Sequence, residues 1–138
     1  MNSPVSLQVT PFHLGLGATV DALEAFDATP EWYERYSELT ASDGREGRLV
    51  SMHTFDEGWA MWEMHPDGHE LVVCTDGEME LVQDDGTSVS AVTLHRGQAV
   101  VNAPGVWHTA NVAQQATALF ITAGRGTQVR PRTSASTG

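Results

Sequence analysis

From residue 48 onward the chain is cut into eight short runs of strand-forming character, at 48–55, 59–65, 70–75, 78–83, 88–94, 98–102, 108–112 and 116–122, with turn residues between them. This punctuation confines the fold more than any other feature. Short apolar-alternating runs bounded by Gly, Pro, Asn and Asp read as strands. Many of them at near-regular spacing close into an antiparallel sandwich or barrel. Asp76-Gly77 and Asp84-Asp85-Gly86 each carry a tight-hairpin signal.

A different pattern precedes residue 48. Residues 29–39 predict a helix: Thr29 is a suitable N-cap, Pro30 suits the first helical position, and Glu31 favours the positive end of the helix dipole. Trp32, Tyr36 and Leu39 fall on one stripe at helical spacing, and Asp43-Gly44 ends the pattern. Residues 6–12 and 18–23 each predict a short strand. Residues 124–138 have no apolar period and predict a C-terminal tail that is partly disordered. The expected organisation is therefore 1–47 as N-terminal strands and a helix packing on a barrel, 48–123 as the barrel, and 124–138 as the tail.

Composition narrows the partners. At 138 residues the chain is one domain with room for a real core, and 41% apolar content is ordinary for a soluble protein. No apolar run approaches the roughly 20 residues that a membrane span requires, and the first residues lack the charged start and apolar stretch of a signal peptide. One cysteine, Cys74, forbids an internal disulfide and predicts a reducing, cytoplasmic setting. The formal charge is -11 and all seven basic residues are arginine, so nucleic acid and anionic membrane are poor partners. With no lysine, Schiff-base chemistry is closed off.

The chemistry-bearing residues fall in two segments. Glu63-Met64-His65-Pro66-Asp67-Gly68-His69-Glu70 packs the glutamates Glu63 and Glu70 together with two imidazoles, and His108 follows the Pro104-Gly105 turn. Imidazole and carboxylate together suit a divalent ion of intermediate softness: zinc, iron, manganese or nickel. Strand parity places Trp59, Met61, Glu63 and His65 on one face, and Glu70, Val72 and Cys74 on one face of the next run. If both faces turn inward, Glu63, His65, Glu70 and His108 meet over one ion. The other reading is a hydrogen-bonded polar cluster in a barrel without metal; the cost of burying two carboxylates with no cation favours the ion. His69 points away or lies in the turn, and His13, His53 and His95 have no partner at ligand spacing. Cys74 reads as a small buried hydrophobe, and Trp59, Trp62 and Trp107 as core or interface residues. Apolar residues on both faces of the run 59–65 predict that its outer face is covered by the helix or by a second subunit, hence a homodimer.

These residues resemble the cupin superfamily over residues 48–123. His65, four residues, Glu70, six residues and Gly77 match the second half of the first cupin motif, and Gly97, Gly105 and His108 fall in register with the second motif. The chain departs from the pattern at Glu63, which stands where the motif has its first histidine, and at Gly58, Ala103 and Val112. The resemblance implies an all-β fold, an antiparallel jelly-roll barrel with one short N-terminal helix. It also implies a ligand set of Glu63, His65, Glu70 and His108, and a pocket for a small organic molecule. Cupins include dioxygenases, isomerases, decarboxylases and sugar-modifying enzymes as well as non-enzymatic sensors, so two functions remain open. In one, His65, His108 and Glu70 form a facial triad for an oxygenase or isomerase, with Glu63 a fourth ligand or a general base. In the other, the pocket binds a small molecule and catalyses nothing.

Overall fold

The computed structural model describes residues 3–133. Ten strands are present: β1 Phe12–Gly15, β2 Thr19–Ala22, β3 Arg48–Phe55, β4 Met61–Met64, β5 Glu70–Asp84, β6 Val89–His95, β7 Ala99–Asn102, β8 Trp107–Asn111, β9 Ala116–Thr122 and β10 Gln128–Pro131. All pair antiparallel, and the strand order β10-β4-β8-β5-β9-β3-β1-β2, with β6 and β7 also on β5, makes an antiparallel β-barrel of jelly-roll type.

The expected hairpin at Asp76-Gly77 is not there. β5 runs unbroken for 15 residues. Its first half lies between β7 and β9, and its second half between β6 and β8. The register slips between Cys74 and Asp76, which is a β-bulge. Gly77 supplies the positive φ (73°) that a hairpin would also need, and a Cβ there would overlap the Gln115 carbonyl oxygen. An Asp-Gly pair announces a left-handed residue; whether the chain reverses or only bends depends on distant strands.

The core lies between the two sheets. Val72, Cys74, Met79, Leu81, Leu94, Ala110, Val112, Ala116, Ala118 and Phe120 form one buried cluster. Alternation is strict on β9, where Ala116, Ala118, Phe120 and Thr122 are the buried residues. Full burial of a side chain the size of Leu81 contributes about 1.5–3 kcal/mol. Cys74 is buried and unbridged, as a small hydrophobe would be.

The N-terminal region extends one sheet, with β1 pairing β2 and β3. Residues 7–10, expected in a strand, instead form turns, in which the N–H groups of Val9 and Thr10 donate to the Ser6 carbonyl at 3.0 and 2.8 Å. Helix α1, Pro30–Leu39, starts as expected: the Thr29 hydroxyl accepts from the Trp32 N–H at 3.2 Å, and Pro30 opens the helix. Trp32 is buried at 1% exposure, but Leu39 is 73% exposed, so the expected stripe ends at Tyr36. The chain then tightens into a short 3₁₀ segment, Ala41–Glu46. Buried His13 ties β1 to both elements, with Nδ1 2.7 Å from the Tyr36 hydroxyl and Nε2 2.7 Å from Asp43 Oδ2.

Residues 124–133 hold structure that the lack of an apolar period did not foretell. β10 pairs with β4, Arg130 opposite Trp62. The Arg130 guanidinium lies 4.4 Å from the Trp107 ring centre and 5.2 Å from that of Trp62, and 3.2 Å from Asp84. On the outer face of β4, Trp62 is thus covered by Arg130 of the chain's own C-terminal strand. Residues 134–138 of the expected tail lie outside the described residues.

Candidate metal site

Three local devices bring the two sequence segments together. β4 and β8 lie side by side with Glu63 opposite His108, so both side chains enter the barrel from one sheet. His65 follows the end of β4, and its carbonyl accepts from the Gly105 N–H at 3.1 Å, which ties it to the Pro104-Gly105 turn. Glu70 opens β5 in the opposite sheet, flanked by Asn102 on β7 and Thr122 on β9.

Glu63, His65, Glu70 and His108 come together in the structure. His65 Nε2 is 3.2 Å from Glu70 Oε2, His108 Nε2 is 3.1 Å from Glu70 Oε1, and His108 Nε2 is 3.9 Å from Glu63 Oε2. One donor atom each from Glu63, His65 and His108 lies within 4.8 Å of the others. An ion at about 2.1 Å from each ligand needs its donors roughly 3–3.5 Å apart, so small side-chain adjustments suffice. His108, Glu70 and His65 are buried, whereas the Glu63 side chain is 39% exposed and marks the open side. His69 is exposed and takes no part.

The outer ring nitrogens decide what this cluster wants. Thr127 Oγ1 is 2.7 Å from His65 Nδ1 and donates its own hydrogen to the Gly124 carbonyl at 2.7 Å, so it can only accept from the imidazole. His108 Nδ1 faces the Val106 carbonyl, an acceptor, at 3.5 Å. With Nδ1 carrying the proton in both rings, each Nε2 presents a lone pair. Both Nε2 atoms are buried without a hydrogen-bond partner, and both face carboxylate oxygens. Lone pair against carboxylate is repulsive, and the site is relieved only by positive charge between them. Two protons or one divalent ion would neutralise the two carboxylates. This donor set, with each imidazole held from behind by an acceptor, fits a divalent metal.

The titration behaviour of the carboxylates differs with their surroundings. Burial alone would raise Glu70, but the His108 and His65 contacts outweigh it and hold the carboxyl well below its ordinary range. Asn102 Nδ2 at 3.0 Å and Thr122 Oγ1 at 2.6 Å also donate to it. Glu63 moves the other way, raised by burial and then by the Glu70 charge. Burial would lower His108, yet the Glu70 contact and the charges of Glu70 and Glu63 raise it.

Sequence reasoning missed the residues that orient the cluster: Asn102, Thr122, Thr127 and Gln83, whose amide fixes Asn102 at 2.7 Å. Thr122 was findable, since it continues the inward parity of Ala118 and Phe120. Thr127 carried no signal; its place comes from the turn in which its N–H donates to the Gly124 carbonyl, with Gly126 at φ 77°. Two surface clefts lie elsewhere, one beside β6 and β7 near Ser90 and Val101, the other between Leu23 and helix α1. Neither contains a residue of the cluster, so chemistry and not cavity size locates the site.

A small antiparallel jelly-roll barrel with a His and carboxylate cluster between its sheets defines the class of double-stranded β-helix proteins with a candidate metal centre. Residues 51–124, more than half of the chain, match the Cupin domain model, and the chain belongs to the Cupin domain family. A solved structure with a TM-score above 0.5 agrees on the fold. A conserved protein with a double-stranded β-helix domain from Klebsiella pneumoniae is 20% identical, with 62% of this chain and 76% of that chain covered at a TM-score of 0.51. A cupin-2 domain protein from Shewanella frigidimarina is 18% identical over 62% and 71% of the two chains, TM-score 0.46. Hydroquinone 1,2-dioxygenase from Sphingomonas sp. TTNP3, a structure with 4-hydroxybenzoate bound, is 15% identical over 54% of this chain, TM-score 0.48. The chain spans 59% of the length of that dioxygenase chain. No curated protein matches. Among the described residues no helix is long and apolar enough to cross a membrane.

Proposed function

We propose that this protein is a metal-dependent cupin whose barrel binds a small organic molecule at a divalent ion held by His65, His108, Glu70 and Glu63. The observation that carries the reading is the pair of buried, partnerless Nε2 atoms facing carboxylates, each with its Nδ1 set against an acceptor. A bound divalent ion would supply Lewis acidity to an oxygen of the small molecule. Glu63, on the open side with its carboxyl raised above its ordinary range by burial, is either the fourth ligand or a general base that takes a proton there. Glu70 is held in place by Asn102 and Thr122. Zinc, iron, manganese and nickel all suit this donor set.

Metal analysis after loading tests the proposal. Wild type should hold about one equivalent, and His65→Ala and His108→Ala should lose it together with the metal-dependent rise in melting temperature. Wild type with no such rise for any of the four ions would leave the polar-cluster reading standing. Turnover of candidate substrates by the loaded protein separates an oxygenase or isomerase from a binding protein. A cytoplasmic setting is proposed from the single cysteine alone. A homodimer, suggested by the apolar residues on both faces of the run 59–65, is tested by sedimentation at micromolar concentration.

A further inference from the structure

The interior of the barrel carries a second pattern beside the polar cluster. Starting from His108, ring follows ring toward the N-terminal segment. Trp59 lies 6.2 Å from His108, Phe55 5.5 Å from Trp59, His53 6.2 Å from Phe55, and Phe26 5.1 Å from His53, with Phe120 within 6.2 Å of His53, Phe55 and Trp59. Ser51, His53 and Phe55 are paired with Phe120, Ala118 and Ala116, all buried, so their side chains share the inner face of that sheet. In a fully filled barrel, inward rings would be buried like Phe120 at 6% exposure. His53, Phe55, Trp59 and Phe26 are instead only partly buried, so the wall borders open space.

The polar details of the wall are few. The Trp59 indole N–H is buried and has no partner, which leaves one donor unsatisfied. His53 is held toward its neutral form by burial. Asn102 and Thr122 donate to Glu70, and no arginine is among the groups that shift the Glu63 and Glu70 carboxyls. Phe26 closes the far end, braced edge-on against Trp32 at 5.1 Å and Tyr33 at 5.7 Å of helix α1. Burial, and then the charge of Glu63, raise the Tyr33 phenol.

We infer that the ligand of this site carries a planar aromatic ring, seated against Phe26, His53, Phe55 and Trp59, and an uncharged or weakly acidic oxygen-bearing head directed to the ion. The inference rests on the metal-dependent reading above and names its ligand class. Edge and offset contacts with such rings favour a flat ring over an aliphatic chain of equal size. With a divalent ion, two carboxylates and two neutral imidazoles, the centre is already charge-balanced. A strongly anionic head with no arginine to meet it is disfavoured there, and the net charge of -11 adds to that. Phe26, which belongs to neither metal site nor barrel strand, is the specificity-determining residue at the opening.

Two hydroxamates test this, since they share one metal-binding head and differ in the ring. Benzohydroxamate and acetohydroxamate are titrated calorimetrically into the nickel-loaded full chain, with bound nickel measured in the same sample. The ring compound should bind about 10- to 100-fold more tightly. Phe26→Ala should shrink that ratio by about 3- to 10-fold while acetohydroxamate affinity and nickel content stay as in wild type. Phe26→Leu, which keeps the apolar volume, serves if the alanine variant folds poorly, and should also lower the ratio. Equal affinity for both compounds with nickel bound overturns the ring inference and leaves the metal reading intact. So does an equal loss for both compounds in the Phe26 variants. Absence of bound nickel overturns both.

Discussion

Thr127→Val isolates the tautomer argument from everything else in the site. The substitution keeps the β-branched shape and the backbone N–H to Gly124, and removes only the oxygen 2.7 Å from His65 Nδ1. Without that acceptor the ring is free to carry its proton on Nε2 or to rotate, and either defeats metal binding. Loss of such a supporting hydrogen bond costs about 10- to 100-fold in metal affinity, which is about 1.4–2.7 kcal/mol. At saturating metal the same amount disappears from the stability of the bound form. For a domain of this size about 1 kcal/mol moves the melting temperature by roughly 3 °C, so the metal-dependent rise should shrink by about 4–8 °C. Thr127 is exposed, so the melting temperature in chelator should move by less than about 0.5 kcal/mol equivalent. Scanning fluorimetry of wild type, Thr127→Val and Thr127→Ser, with and without zinc, reads all of this, and the serine variant should behave as wild type. A valine variant with an undiminished metal-dependent rise would refute the claim that Thr127 sets the His65 tautomer.

Two further expectations follow from the same geometry. His108 has a raised pKa in the folded chain, so its contribution is fully present below its ordinary value of 6.5 and lost as pH rises through the raised value. Glu70 is lowered, so its contribution is present above its ordinary value of 4.5 and lost toward acid. In chelator the melting temperature should therefore fall from pH 6.5 to 8.5, while the increment given by added metal grows over that window because the ion displaces protons; a chelator profile that rises there contradicts the assignment. Gly77→Ala puts a Cβ at φ 73° against the Gln115 carbonyl and should cost about 2–4 kcal/mol, read as a lower urea midpoint at unchanged slope; an unchanged midpoint would mean that the bulge is not tightly held.

What was legible in the chain was what depends on period and on local chemistry. The runs at 48–55 and 116–122 became β3 and β9 without change, and Thr29-Pro30 opened its helix. The four cluster residues were legible because Glu63 and His65 sit on alternate positions of one sequence run and the others follow turns. The remainder depended on contacts between distant segments. Asp76-Gly77 looks the same in a hairpin and in a bulge, and only pairing with β8 and β9 separates the two. β10 is four residues long and mixed in polarity, Gln128 to Pro131, and is held as a strand by β4 and by Arg130 over two tryptophan rings. Thr127 could not be found before that strand was placed, because its role comes from where β10 delivers it.

The uninterrupted course of β5 bears on how the molecule opens. Its first half is hydrogen-bonded into one sheet and its second into the other, so neither sheet can melt while the other keeps all its partners. The backbone amides of β5 on both sides of the Cys74–Asp76 bulge should then exchange with deuterated solvent through a single common opening, at the free energy of whole-molecule unfolding, whereas those of β2 and β6 on the margins exchange through local fraying. The His and carboxylate cluster spans the same division, with Glu70 on β5 and Glu63 and His108 on β4 and β8, so an ion bound there would slow that shared event rather than protect one sheet alone.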